Sequence, residues 1–254
     1  MVEVLKEGKI EKLAFAVCSD RDTMGKKAAI HAAEYIKQLQ QTKKEIRIIF
    51  ASAPSQDTFL AYLTRDEAID WTKIVGFHMD EYIGLPADSD QWFKSYLQSH
   101  LTTQVQFKQF HFINGGVDPS AEIKRYQTLL GEEAIDLVCM GVGENGHIAF
   151  NDPPIADFHD SEAVRKVELD SVSRQQQVND GCFPRIQAVP THAVTLTIPT
   201  LLSGAKIVCT VPGSPKKEAV KKMLNGPIHA SCPASILRTH DDATLFVDSE
   251  AFGG

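Results

Sequence analysis

Two stretches of this chain crowd acids, a histidine and glycines into short spans: "FHMDEYIGLP" at 77–86 and "MGVGENGHIAFNDPP" at 140–154. In the first, Asp80 and Glu81 leave an apolar run together, with side chains expected to diverge. Partial burial beside Phe77, Met79 and Tyr82 would raise the pKa of Asp80 into a range useful for a general base. The same carboxylate also suits a simple cap on the following turn. In the second stretch His147 and Asp152 can form a hydrogen-bonded pair that holds the imidazole in one tautomer for proton transfer. Gly141, Gly143 and Gly146 permit positive φ or close backbone approach. A glycine turn tied down by its histidine accounts for these residues equally well. The three glycines match G-x-G-x-x-G literally, but no long helix follows at once, which argues against a dinucleotide site.

Cationic and hydroxyl residues recur at other strand-to-helix junctions. In "VPGSPKKEAVKKML", Ser214 is placed as an N-cap, Pro215 at the first helical position, and Lys216 and Lys217 in the first turn. Cations there oppose the helix dipole unless an anion is bound, since backbone N–H groups and a lysine together cradle a phosphate. Two solvated lysines are the competing reading. Ser55 in "ASAPSQDTF" could also meet a phosphate, although Asp57 puts a negative charge in the same turn. "SRQQQVNDGCFPR" offers Arg174, Gln177 and Arg185 as polar contacts, or as an exposed face. His78 reads as structural or gating.

The elements that must position these groups read as alternating strands and helices. Short runs such as "EIRIIFASA", "KIVGFHMD", "IDLVCMGVG", "AVTLTI", "KIVCTVPG" and "ATLFVD" are rich in β-branched residues and bounded by turns. Between most of them lie segments of helical spacing, such as "DRDTMGKKAAIHAAEYIKQLQQ" and "SAEIKRYQTLL". That order predicts an α/β fold with an open, mostly parallel sheet and helices on both faces. Ligands of such sheets sit outside the carboxyl ends of the strands, where both acidic stretches fall. No fixed-period repeat or long linker appears, so residues 1–254 are expected to form a single domain. Asn151 to Asp160 is the loosest segment, a candidate mobile flap.

With 43% hydrophobic and 23% charged residues in 254, the chain reads as soluble and globular. No apolar stretch is long enough to span a bilayer, and the N-terminus lacks a secretory signal, so the cytoplasm is expected and a membrane partner is not. A net charge of −7 disfavours nucleic acid. Five cysteines, odd in number and widely spaced, read as reduced and mostly buried thiols. No His/Cys/Asp cluster has metal-ligand spacing, so neither metal nor cofactor is expected.

"FHMDEYIGLP", "GVGENGHIAFNDP", "VPTHAVTLTIPTLL" and "VPGSPKKEAV" occur in the order found in glucosamine-6-phosphate deaminases, which the chain resembles over most of its length. The resemblance implies a Rossmann-like fold shared with 6-phosphogluconolactonases and ribose-5-phosphate isomerases. It implies that Asp80 moves protons between sugar carbons, that His147 assists ring opening with support from Asp152, and that Lys216 contacts the substrate phosphate. Glu81, Gly143, Gly146, Ser55, Arg174 and Ser214 are the further substrate contacts expected. The family loop commonly reads G-N-D-G-H, whereas here Asn145 stands at the acid's place; an amide can orient His147 but supplies no charge, unless Glu144 compensates. The family's glycine- and threonine-rich phosphate loop is replaced by "SAPSQDT". The chain ends at "DSEAFGG", short of the tail that forms an allosteric site in some members, so that regulation is not expected. The implied function is deaminating isomerisation of an amino sugar 6-phosphate, most plausibly D-glucosamine 6-phosphate, by a possible homo-oligomer. Alternatives are a 6-phosphogluconolactonase-like hydrolase, or a non-catalytic phosphosugar sensor in which Asn145 marks lost activity.

Overall fold

A computed structural model describes residues 3–253. The chain opens with β1 (Val4–Ile10) and β2 (Leu13–Cys18), then α1 (Arg21–Gln40), β3 (Ile46–Phe50) and α2 (Asp57–Leu63). Next come β4 (Ile74–His78), β5 (Asp80–Tyr82), α3 (Phe93–Leu97), β6 (Gln109–His111) and α4 (Pro119–Gly131). After β7 (Leu137–Met140) follow β8 (Val164–Glu168), α5 (Ser171–Asn179), β9 (His192–Leu196) and α6 (Ile198–Leu202). The chain finishes with β10 (Lys206–Val211), α7 (Lys217–Asn225), β11 (Ala243–Asp248) and α8 (Ser249–Phe252).

Eight strands form one sheet in the order β1-β2-β11-β10-β7-β3-β4-β6, all parallel except the β1–β2 hairpin. Every residue of β3, β4, β7 and β10 is buried, as strands covered on both faces require. One face carries α1 and α2. Ala28, Ala29, Ala32 and Ala33 line the inner side of α1, and a Cβ on Gly25 would fall 2.2 Å from Thr58 Oγ1, so α1 and α2 meet closely there. Tyr126 and Leu130 of α4, with Ala219, Val220 and Met223 of α7, belong to the core that includes Val138, Met140 and Leu245.

The helix starts follow local chemistry. Asp20 accepts a hydrogen bond from Thr23 N at 2.8 Å, Asp118 from Ala121 N at 2.9 Å, and Asp170 from Val172 N at 2.7 Å, each supplying a free N–H of the first turn with an acceptor.

Periodicity did not separate "AVTLTI" from the main sheet. It forms β9, which joins β5 and β8 in a second, three-stranded antiparallel sheet. That small sheet lies beyond the carboxyl end of β4, because the chain leaves β4 at His78 and re-pairs from Asp80 onward against Thr195, Val194 and Ala193. Nor is 151–160 a free flap. Asn151 and Asp152 are buried, Asn151 Nδ2 donates to the carbonyls of Ile148 and Leu196, and Asp152 O accepts from Ile155 N and Ala156 N. Arg165 holds the far end through Ile155 O and Asp160.

Candidate active site

The loops after β3, β4, β7 and β10 converge on one cleft of about 770 Å³, counting its open mouth. Asp80 and His147 both line it, although 66 residues separate them in sequence (147 − 80 − 1).

Asp80 reaches the cleft because it starts β5, two residues past the buried His78 that ends β4. Its carboxyl is 7% exposed, and among the described residues no side chain or backbone N–H donates to it. Burial, and then the neighbouring Glu81 charge, push its pKa well above the ordinary carboxylate value. Strand alternation sends Glu81 the other way, to the N-terminus of α3, where its carboxylate accepts from Tyr82 N, Phe93 N and Lys94 N at 2.9–3.0 Å. Glu81 does not line the cleft; burial raises it to about 7 against the pull of those three N–H groups. His78 is structural: its Nε2 accepts from Ile113 N at 2.7 Å, and burial lowers it to about 3, which keeps it neutral.

The loop after β7 is built around the imidazole. Asn145 Oδ1 accepts from His147 N at 3.0 Å, Gly143 N donates to His147 O at 2.9 Å, and Gly146 takes φ +88. A Cβ on Gly143 would sit 2.2 Å from His147 Cε1, so only glycine lets the ring lie over this backbone. His147 Nδ1 lies 3.0 Å from Asp152 Oδ1, which also accepts from Asn145 Nδ2 at 2.9 Å and from Ser173 Oγ. Burial pushes Asp152 up, but the His147 contact, Asn145 and Ser173 outweigh it and hold the carboxyl at about 2. Asn145 thus bonds the backbone of the histidine and the acid behind it. Ala149, also on the wall, sits at φ +47, a left-handed conformation that a non-glycine residue adopts at a cost.

Lys216 lies in the wall of the same cleft, 7% exposed and with no ion pair or side-chain hydrogen bond among the described residues. Burial lowers its pKa, while Asp180 and Glu144 act in the opposite direction. A buried, unpaired ammonium is satisfied by an anion. Ser55 lines the cleft on a single 3₁₀ turn, Pro54–Gln56, ahead of α2. Asp57 is taken up by Tyr96 Oη at 2.7 Å and Arg21 at 3.5 Å.

Four other expected contacts lie outside the cleft wall, and one of them, Gly146, packs against Cys232 instead. Ser214 is exposed and caps nothing: Gly213, at φ +89, precedes the 3₁₀ turn that Ser214 begins, and Lys216 precedes α7. Arg174 donates to the carbonyls of Ile186 and Val189, at 2.8 and 2.9 Å, and borders a different cavity behind Asp152. Arg185 is exposed and does not line the cleft. The cleft instead draws on Arg21, Phe93, Gln176, Gln177 and Asp180, and Ser173 bonds the His147–Asp152 pair. Arg21 follows the carboxyl end of β2 closely, so the rule that flagged the other loops also covers it. Nothing in the local sequence marks Ser173. No group of three metal-ligating side chains occurs among the described residues.

A doubly wound parallel sheet with its polar cleft at the carboxyl edge defines an α/β protein of the Rossmann-like class. The chain belongs to the family of glucosamine-6-phosphate isomerases and 6-phosphogluconolactonases, which it matches over residues 19–246. It is 33% identical over 221 residues to a glucosamine-6-phosphate deaminase of Listeria welshimeri, covering 87% of this chain and 92% of that one. A glucosamine-6-phosphate deaminase of Exiguobacterium sibiricum is 35% identical over 188 residues, 74% and 73% of the two chains. Among solved structures, a monomeric glucosamine-6-phosphate deaminase superposes with a TM-score of 0.84 at 30% identity, covering 94% of this chain and 98% of that one. The 6-phosphogluconolactonase of Thermotoga maritima, at 18% identity and a TM-score of 0.77 over 94% and 100%, shares the fold.

Proposed function

We propose that this chain converts an amino sugar 6-phosphate, foremost D-glucosamine 6-phosphate, to the 2-ketose phosphate and ammonia. The observation that carries the reading is an unbonded, buried carboxyl at Asp80 sharing one cleft with the His147–Asp152 pair and the unpaired Lys216. Lys216 anchors the phosphate, with Arg21 and the turn at Ser55 beside it. His147, held by Asp152, Asn145 and Ser173, moves a proton to the ring oxygen as the pyranose opens. Asp80 then takes the proton from C2 of the open aldehyde, giving an enolamine, and returns a proton to C1. The resulting C2 imine adds water and expels ammonia, leaving the ketose. A carboxyl raised by burial is the stronger base for a carbon acid, and each positioned transfer contributes about 10²–10⁴-fold.

No step needs a metal or an organic cofactor. Asp80, His147 and Lys216 all line the cleft of a single chain. No described helix is long and apolar enough to cross a membrane, and a phosphosugar substrate suits residence in the cytoplasm. We take residues 1–254 as one domain.

Incubation of the purified protein with glucosamine 6-phosphate tests the reading by release of equal ammonia and fructose 6-phosphate, slowed about 10²–10⁴-fold by Asp80→Asn. Hydrolysis of 6-phosphogluconolactone without ammonia release would transfer the cleft to lactonase chemistry. Binding without any turnover would make the protein a sensor.

A further inference from the structure

Beside the cleft lies a second compartment of about 630 Å³, counting its mouth, which shares Ser52, Ala53, Pro54, Phe93 and Gln177 with it. Its own walls are Trp92, Tyr96 and Cys182, with Asp90 and Gln91 among the remaining lining. Two polar side chains on the shared partition make no side-chain hydrogen bond, Ser52 with its Oγ fully buried and Gln177 with its amide still open to the compartments. Ser52 is 5% exposed and its Oγ has no hydrogen bond; Gln177 is 8% exposed and its amide makes none among the described residues. Such groups are normally satisfied, by protein, water or ligand. The aromatic polar atoms are already used, Trp92 Nε1 by Pro86 O and Tyr96 Oη by Asp57, both at 2.7 Å; Trp92 is buried, and the carbon surface left open belongs to Tyr96 and Cys182, with the edge of Phe93. No lysine or arginine lines the compartment, and Asp90 is there, which excludes a second phosphate.

An occupant must therefore be uncharged, carry a compact apolar face for Tyr96, Phe93 and Cys182, and bring a hydroxyl or amide group to Gln177. We propose that the second compartment is a subsite for an uncharged pyranose, seated next to the reacting phosphosugar. The pyranose could be free, or joined to the phosphosugar as a second sugar unit. The placement next to a phosphosugar rests on the function proposed above; the uncharged pyranose itself rests on the compartment alone.

Titration of the full chain with methyl β-D-glucopyranoside, followed by calorimetry, is expected to show saturable binding with a roughly millimolar midpoint. Cys182→Phe, which fills the second compartment only, should remove that binding and leave calorimetric binding of inorganic phosphate unchanged. Gln177→Leu should weaken the glucoside with the fold intact by circular dichroism. No saturable signal in the wild type, or glucoside binding undiminished in both variants, overturns the proposal. Glucoside binding that persists with glucitol 6-phosphate in the cleft identifies a free sugar. Faster turnover of a glucosyl-glucosamine 6-phosphate by the wild type than by Cys182→Phe identifies a joined one. Failure of the deaminase reading would appear separately, as no ammonia from glucosamine 6-phosphate while the glucoside still binds.

Discussion

Asp80 has a largely buried carboxyl without a hydrogen-bond donor among the described residues, and it destabilises the fold it serves. Its folded-state pKa is raised above the unfolded value of 3.8, so the folded chain holds that proton more tightly than the unfolded chain does. Stability is then fully present below about 3.8 and declines as pH rises through the raised range. Asp80→Asn removes this titration. The variant should lose about 10²–10⁴-fold in turnover yet melt at a higher temperature than the wild type at neutral pH, the gain vanishing in acid. Equal melting temperatures at pH 7, measured by calorimetry, would contradict the assigned burial effect. Asp152 has the opposite sign. Held at about 2 against 3.8 when unfolded, it contributes on the order of 2 kcal/mol above about pH 4, and this is lost as pH falls towards 2. Asp152→Asn should therefore flatten the acid limb of the stability curve, read by urea midpoints across that window.

Elements place these residues by small devices. The β4-to-β5 break sends alternate side chains to opposite tasks, Asp80 to the cleft and Glu81 to the start of α3, whose first residue, Phe93, is also cleft wall. Glu81→Ala would leave the N–H groups of Tyr82, Phe93 and Lys94 without their acceptor, and should lower stability by about 1–3 kcal/mol in chemical denaturation. The loop after β7 depends on Gly143. In Gly143→Ala the new methyl group and the imidazole cannot occupy the same space, so turnover should fall by roughly tenfold or more while the melting temperature changes little. Loss of fold rather than of rate would show that the glycine serves the sheet instead.

On the scale of the molecule, the small sheet and the large one share a core: Met79, Val164, Val194 and Leu196 pack in the same cluster as Val138, Met140 and Val211. Unfolding in urea should accordingly be a single transition, with tryptophan fluorescence and far-ultraviolet circular dichroism giving coincident curves. Phosphate should raise that stability by about 2.7 kcal/mol at 100 times its dissociation constant. Lys216→Met should weaken phosphate binding by roughly 10–100-fold and diminish the effect accordingly.

Strand and helix order, and the position of Asp80, His147 and Lys216 at carboxyl ends of strands, were legible because local periodicity and turn residues encode them. The separation of β9 into its own sheet was not, since an apolar run looks the same whichever partner it pairs with. Hydrogen-bond partners also lay beyond local pattern. Arg174 and Glu81 have the charge of ligand contacts, yet backbone groups distant in sequence claim both. Ser173 carries no charge to draw notice, and Arg21 belongs to a strand end far from either acidic stretch. The sequence by itself thus determined the fold class and pointed to the three ionisable groups that line the cleft. Only tertiary structure decided which polar side chains are consumed in holding the backbone and which are left free to meet a ligand, because that depends on contacts between segments that no local spacing records.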